Sequence, residues 1–292
     1  MNPYSMKAGC AIASVFAAAA FARPAAADEW TLRLPKEDKV VYRGLVNADK
    51  AGLGSDPGIL YGPGLVGFFV VLGAHGLVVD SQKRSQLQKL QDDADKVLLP
   101  YRDALEGYAY ADLMRRALDR TLAPGEKKLV AASEKPGTGW FVESFPIFAM
   151  TQDQKAIVLE NAVSIHAPGA AGTPYQNIIK IVSQPNGEAD PRGFWSANRG
   201  ERLKEESVNL LAHSFDMAMG HAAGSLDAGS DAQKTFRYLE GSTERMERAT
   251  LVTAYCNRAV IKTLRGWLMS VPTKPGSAAS PPGQCASAPN NL

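Results

Sequence analysis

Cysteine, histidine and net charge are all scarce in this chain. Three cysteines and four histidines occur among 292 residues, and 32 basic side chains nearly balance 30 acidic ones. No serine stands in a GxSxG elbow, no HExxH pair occurs, and GLGSDPG at 52–58 lacks both the Lys-Ser/Thr of a P-loop and the GxGxxG spacing. The charge balance gives no basic stripe of the kind that nucleic-acid binders use to displace counterions. From Ile59 to Val79 there is no Asp, Glu, Lys or Arg at all.

That charge-free run, ILYGPGLVGFFVVLGAHGLVV, is followed by a strongly polar stretch from Asp80 to Lys96. About 20 apolar residues in a helix match a bilayer core of about 30 Å. Pro63 suits a first helical turn and Asp56 a cap. Its glycines, including Gly64 and Gly67, weaken a helix in water but permit close backbone approach in membrane or partner helix pairs. The expectation is one long helix, apolar first and polar second. Gly64, Gly67, Phe68, Val71 and His75 are its candidate membrane or partner contacts. The same run fits a helix buried in a soluble core with His75 hydrogen-bonded to backbone.

The amino terminus reads as a secretory signal peptide. Lys7 forms a positive n-region, Cys10 to Ala22 an apolar h-region, and Ala25-Ala26-Ala27 a small-residue cleavage site before Asp28. Removing residues 1–27 takes away Lys7 and Arg23, leaving 30 basic against 30 acidic side chains. Two cysteines then remain, Cys256 and Cys285, and an even count in an exported chain points to one disulfide. It would close a loop of about 30 residues and contribute roughly 3 kcal/mol on the chain-entropy account. Two separate thiols are the alternative.

Short strands are expected at Trp30–Leu34 and Val40–Val46, then loop over 47–58. Leu87, Leu90, Ala94, Val97 and Leu98 make a narrow stripe on the polar half of the long helix, which Pro100 ends or kinks. A second amphipathic helix spans about Tyr110 to Leu122. Strands follow at 128–133, at Trp140–Met150 (where Pro146 argues for an edge or a bulge) and as a hairpin of 156–166 with 175–183. In AIVLENAVSIH, Ile157, Leu159, Asn161, Val163 and Ile165 share one face. Asn198 to about Gly224 is the strongest amphipathic helix. Lys234–Leu239 is read as a strand, while Thr243–Tyr255 and Arg258–Leu268 fit either strand or helix, their β-branched content favouring strands. The fold class is α+β: an antiparallel sheet with amphipathic helices on one face, preceded by the glycine-rich apolar helix. The expected segments are 1–27 signal peptide, 28–58 short strands and loop, 59–123 helical, 124–271 the α+β domain, and 272–292 an irregular Pro/Ser/Ala-rich tail.

His213, Asp216 and His221 lie on the helix 198–224 and are the only metal candidates the sequence offers. Asp216 is three residues beyond His213 and can share its face, while His221 sits about 80° around. His166 ends a strand with no nameable partner. No cofactor is called for.

AIVLENAVSIH, YQNIIKIVSQPNG, Trp195 and ERLKEESVNLLAHSFDMAM together resemble the hairpin-plus-helix half of small α+β domains in bacterial envelope accessory proteins. The curli-secretion and lipopolysaccharide-transport accessory lipoproteins are of this type. The resemblance covers residues 155–223 and implies a binding or assembly role, with no functional residue carried over. The expected function is therefore that of an exported, non-catalytic envelope protein of the periplasm. It would be membrane-associated, with an envelope protein or the membrane surface as partner and room for a homo-oligomer. The alternatives are a periplasmic module holding a small apolar ligand between sheet and helices, and a metal-assisted hydrolase working through His213, Asp216 and His221.

Overall fold

Residues 29–46, 81–169, 172–226, 232–255 and 257–273 are described by the computed structural model of the chain. The run Ile59–Val79, with Gly64, Gly67, Phe68, Val71 and His75, lies outside the described residues, as do Cys256 and Cys285. Among the described residues no helix is long and apolar enough to cross a membrane.

The fold is mixed α+β, with one large, mostly antiparallel sheet and few helices. Its strands are β1 (Trp30–Arg33), β2 (Val41–Gly44), β3 (Lys127–Val130), β4 (Trp140–Met150), β5 (Ile157–His166), β6 (Tyr175–Val182), β7 (Gln233–Glu240), β8 (Thr243–Tyr255), β9 (Arg258–Thr263) and β10 (Leu268–Pro272). They run in the order β3-β1-β4-β5-β6-β10-β9-β8-β7, and β2 also pairs with β4. The helices are α1 (Ser81–Ala94), α2 (Arg102–Glu106), α3 (Tyr110–Arg120) and α4 (Pro191–Ala222), with a 3₁₀ segment Asp95–Tyr101 between α1 and α2.

β4 is a central strand, not the edge that Pro146 predicts. One side pairs with β5 along its whole length. The other side takes two short parallel strands end to end: β1 beside Trp140–Glu143 and β2 beside Ile147–Met150. Pro146 falls in the gap between them, where no ladder donor is needed. Its carbonyl accepts from the Tyr110 hydroxyl at 2.8 Å, and the same hydroxyl accepts from Val41 N at 3.3 Å. The parallel pairs β1·β4, β2·β4, β1·β3 and β6·β10 depart from the all-antiparallel expectation. Each joins strands separated by intervening helices, the long crossover that parallel pairing requires.

β5 is buried at nine of its ten positions. Its alternation predicts one wet face, but both faces are covered. On one, α4 packs through Leu203, Val208, Leu211, Phe215 and Ala218 against Leu159, Val163 and Ile179. Asn161 is tolerated there because it is fully hydrogen-bonded. Its carbonyl accepts from Ser144 Oγ at 2.8 Å, its amide donates to Ser214 Oγ at 2.9 Å, and that hydroxyl donates to Leu211 O at 2.8 Å. On the other face the sheet coils over itself. Tyr238 of β7, Ala249 of β8 and Ile261 of β9 join Ile147, Val158 and Val182 in a second cluster. A register shift in β8 between Leu251 and Thr253 helps the strand bend.

The helix expected over 198–224 begins at 201. Asn198, Arg199 and Gly200 adopt positive φ of 51°, 59° and 76°, breaking α4 into a short first piece and a long second one. Gly200 also abuts Ala104, whose Cβ would lie 2.6 Å from an added methyl. The break turns the long piece down across β5 and β6.

Gly44, at the end of β2, is enclosed more tightly. A Cβ there would lie 1.9 Å from Ala94 O. Gly44→Ala is expected to destabilise the protein by about 2–3 kcal/mol, the range of an overpacked core site. Urea unfolding of the two proteins measures this directly.

Candidate functional site

The chain brings three polar constellations together, two inside the body and one at its surface. They differ in whether a ligand can reach them.

The first holds His213. Its Nε2 lies 3.0 Å from Ser270 Oγ on β10. Arg258 of β9 donates through Nε to that hydroxyl at 3.0 Å, and through Nη2 to Val182 O at 2.7 Å and Ser270 O at 3.0 Å. Ser270 is fully buried. Burial followed by the neighbouring Arg258 charge depresses the imidazole pKa to about 4, so the ring is neutral at pH 7. Glu206, two turns back on α4, has its pKa raised by burial, against the opposing pull of Arg258. The cluster ties α4 to the β9–β10 hairpin.

Asp216 and His221 go elsewhere. Asp216 Oδ1 accepts from Thr121 Oγ1, from Leu122 N at 2.7 Å and from Ala123 N at 3.0 Å, so it organises the exit from α3. His221 lies against the Tyr175 ring, 5.4 Å between centroids. The three predicted metal candidates thus face three different elements, and among the described residues no metal-holding group of three His, Cys, Asp or Glu forms. His166 sits 3.8 Å from Glu143 Oε2, and Glu143 is bridged to Arg33.

The second constellation, missed by sequence reading, lies in the coiled half of the sheet. Glu160 and Lys180 are rung partners on β5 and β6, both buried, 3.7 Å apart. Lys180 also approaches Glu240 of β7 at 3.9 Å, and Arg245 of β8 reaches Glu240 at 3.1 Å. Beside them Asp153, in the β4–β5 turn, accepts from Thr151 Oγ1 at 2.6 Å, Lys155 N at 3.1 Å and Ser242 N at 2.5 Å. This clamps the β7–β8 turn, where Gly241 has φ of 65°, over the sheet. The three buried charges, Glu160, Lys180 and Glu240, are balanced by the half-buried Arg245, two acids against two bases, which offsets the cost of burying them. The signal that could have found it was present. Glu160 and Lys180 interrupt otherwise apolar strands, and long charged side chains are rarely buried unpaired.

The third is open to solvent. A cleft of about 350 Å³ lies where β2 meets the 3₁₀ segment and α2. Val40, Tyr42, Leu98, Leu99 and Leu105 line it, with Asp95, Arg102 and Glu106. Tyr42 is held by a 2.6 Å hydrogen bond to Ser207 Oγ and by stacking on Phe148, 5.2 Å between centroids. Asp95 is fully engaged: Oδ2 with Arg43 at 3.0 Å, and Oδ1 with Gly44 N and Gln91 Nε2, both at 2.7 Å. Leu99, by contrast, is 56% exposed. Between the sheet and α4, where the alternative reading puts an apolar ligand, Leu159, Val163, Leu211 and Phe215 belong to one buried cluster.

No family model, curated protein or solved structure matches the chain.

Two outcomes follow from the buried groups. Lys180→Met removes the cation that Glu160 meets across its rung and leaves Glu240 with Arg245, and should cost about 3–5 kcal/mol in chemical unfolding. For His213 the folded pKa is below the unfolded value near 6.5, so its contribution is complete above pH 6.5 and lost as pH falls toward 4. From a pKa of about 4, the loss approaches about 3 kcal/mol in acid. A difference of that size and direction is expected between the stability–pH curves of the protein and of His213→Gln, the protein falling more steeply.

Proposed function

We propose that this is an exported protein of the bacterial cell envelope with a non-catalytic assembly role, in which the apolar stretch Ile59–Val79 contacts a membrane or a partner protein. The observation that supports it is how the body holds the described segments that flank that stretch in sequence. On its near side, β2 is locked: Leu45 N donates to Met150 O at 2.8 Å, and Gln152 Nε2 donates to Leu45 O at 3.1 Å and Ala94 O at 3.2 Å. On its far side, α1 is fastened at its last turn, where Gln91 and Ala94 are buried and Gln91 Nε2 donates to Gly44 O at 2.9 Å. Ser85, Gln88, Lys89, Leu90, Asp92 and Asp93 are exposed. At 1.5 Å per residue, Ser81 stands about 15 Å from the anchoring turn. Such a helix is a polar strut, and the residues it leads to are the most apolar in the chain. A charge-free run of this length, where a stable protein exposes it, serves as a contact surface.

The buried polar groups agree with a role without chemistry. His213, Asp216, Glu160 and Lys180 all serve contacts between elements of the fold.

Deleting residues 59–79 tests the proposal. The remaining linker of 13 residues can span about 43 Å, enough to rejoin Val46 and Ser81. The full protein should remain with membranes, or in a larger complex, through carbonate and high-salt washes, and the deletion variant should become soluble with its melting temperature within about 2 °C. Equal solubility of both proteins would refute the contact role.

A second reading, a module that binds a small ligand with an apolar body, is favoured by the open cleft beside Tyr42 and Leu99.

A further inference from the structure

We propose that the cleft between β2, the 3₁₀ segment and α2 binds a short zwitterionic peptide with apolar side chains, through Arg102 and Glu106 at its rim. The inference rests on the ligand-binding reading above and names the ligand class.

The chemistry comes from the lining. Val40, Tyr42, Leu98, Leu99 and Leu105 offer an apolar floor, and the volume of about 350 Å³ is at the small end of ligand clefts, which excludes a large ligand. Leu99 is more than half exposed, whereas Leu98 and Leu105, which line the same cleft, are half-buried. Covering it is a gain available to an apolar guest.

The rim supplies the charges. Arg102 and Glu106 both line the cleft and both are exposed. Among the described residues neither takes part in an ion pair or side-chain hydrogen bond, whereas the third charged lining group, Asp95, is saturated by Arg43, Gly44 and Gln91. Arg102 precedes Glu106 by four positions, the weaker order for an intrahelical pair, and among the described residues no ion pair joins them. They are left as one cation and one anion, with β-carbons about 6 Å apart at that helical spacing. A guest complementary to this arrangement carries an anionic and a cationic group at about that separation and an apolar body between or beside them. A dipeptide such as leucyl-leucine, with its carboxylate at Arg102 and its ammonium at Glu106, has this form. A planar guanidinium also suits a carboxylate through paired N–H donors.

The test is calorimetric titration of the purified protein with leucyl-leucine, N-acetyl-leucyl-leucine, leucyl-leucine amide and 1-hexanol. Leucyl-leucine is expected to bind with a Kd of about 0.1–1 mM, as a ligand of this size allows. Loss of either terminal charge should weaken it about tenfold. Arg102→Ala should lose the preference for the free carboxylate, and Glu106→Gln the preference for the free ammonium. Both positions are exposed, and an unchanged melting temperature confirms that each variant is folded. If 1-hexanol binds and leucyl-leucine binds no better, the cleft takes apolar ligands but the zwitterion assignment is wrong. If none of the four binds, the ligand-binding reading fails with it. Binding by phosphatidylethanolamine vesicles that is abolished in Arg102→Ala, with no peptide binding, would make the cleft a membrane reader and overturn the proposal. So would peptide binding that appears only after residues 59–79 are deleted, since the cleft would then belong to the chain's own apolar stretch.

Discussion

Burial of β5 on both faces is the constraint on which the rest of the structure depends. A strand in that position has no wet side, so each face of the β4–β5–β6 hairpin needs its own cover. α4 supplies one, with a continuous apolar seam from Leu203 to Met219. The carboxyl-terminal strands supply the other by coiling until β7, four places from β6 in the sheet, meets it again at Lys180 and Glu240. Sheets twist with a fixed hand, and the shifted register in β8 adds to that twist.

Double coverage changes what polar side chains can do. Asn161 on one face and Glu160 on the other would be ordinary surface residues in a half-exposed strand. Here each is buried, and each is tolerated because a neighbour was placed to meet it: Ser144 and Ser214 for Asn161, Lys180 for Glu160. Groups of this kind cost more when half satisfied than when absent, so they pin the register of the strands that carry them. The same holds for His213, whose ring is useful to the fold only while neutral beside Arg258. The titratable residues that a search for chemistry would select first are thereby committed to structure.

The surface at β2 and α2 differs in kind. Asp95 knots Arg43, Gly44 and Gln91 together and so fixes where β2 ends and where α1 is anchored. That knot positions both the cleft and the base of the strut. An assembly element and a ligand cleft built on one junction would share its rigidity, and a loss of the Asp95 contacts would disturb both.

Much of the element order was legible in the residues. The alternation of AIVLENAVSIH and the helical spacing from Leu203 to Ala222 carried local information strong enough to name the element, while TLVTAY and RAVIKTL, open between strand and helix in the sequence, are strands in the structure. Mixed α+β character followed from their order. The sequence alone could not place Pro146 in mid-sheet, because its tolerance depends on two short strands from 100 residues upstream leaving a gap opposite it. Nor could it show which face of β5 stays dry, since that depends on where remote strands coil. The proximity of His213, Asp216 and His221 in sequence likewise did not survive: a helix spreads near neighbours around its circumference, and three different elements receive them. The cleft was the least legible feature. Leu99, off the stripe set by Leu90, Ala94 and Val97, was its one local sign. Its walls come from stretches more than 50 residues apart, and only packing brings them together. Local periodicity thus determined the elements. Pairing, coverage and charge contacts, which act between distant residues, decided the topology and the site.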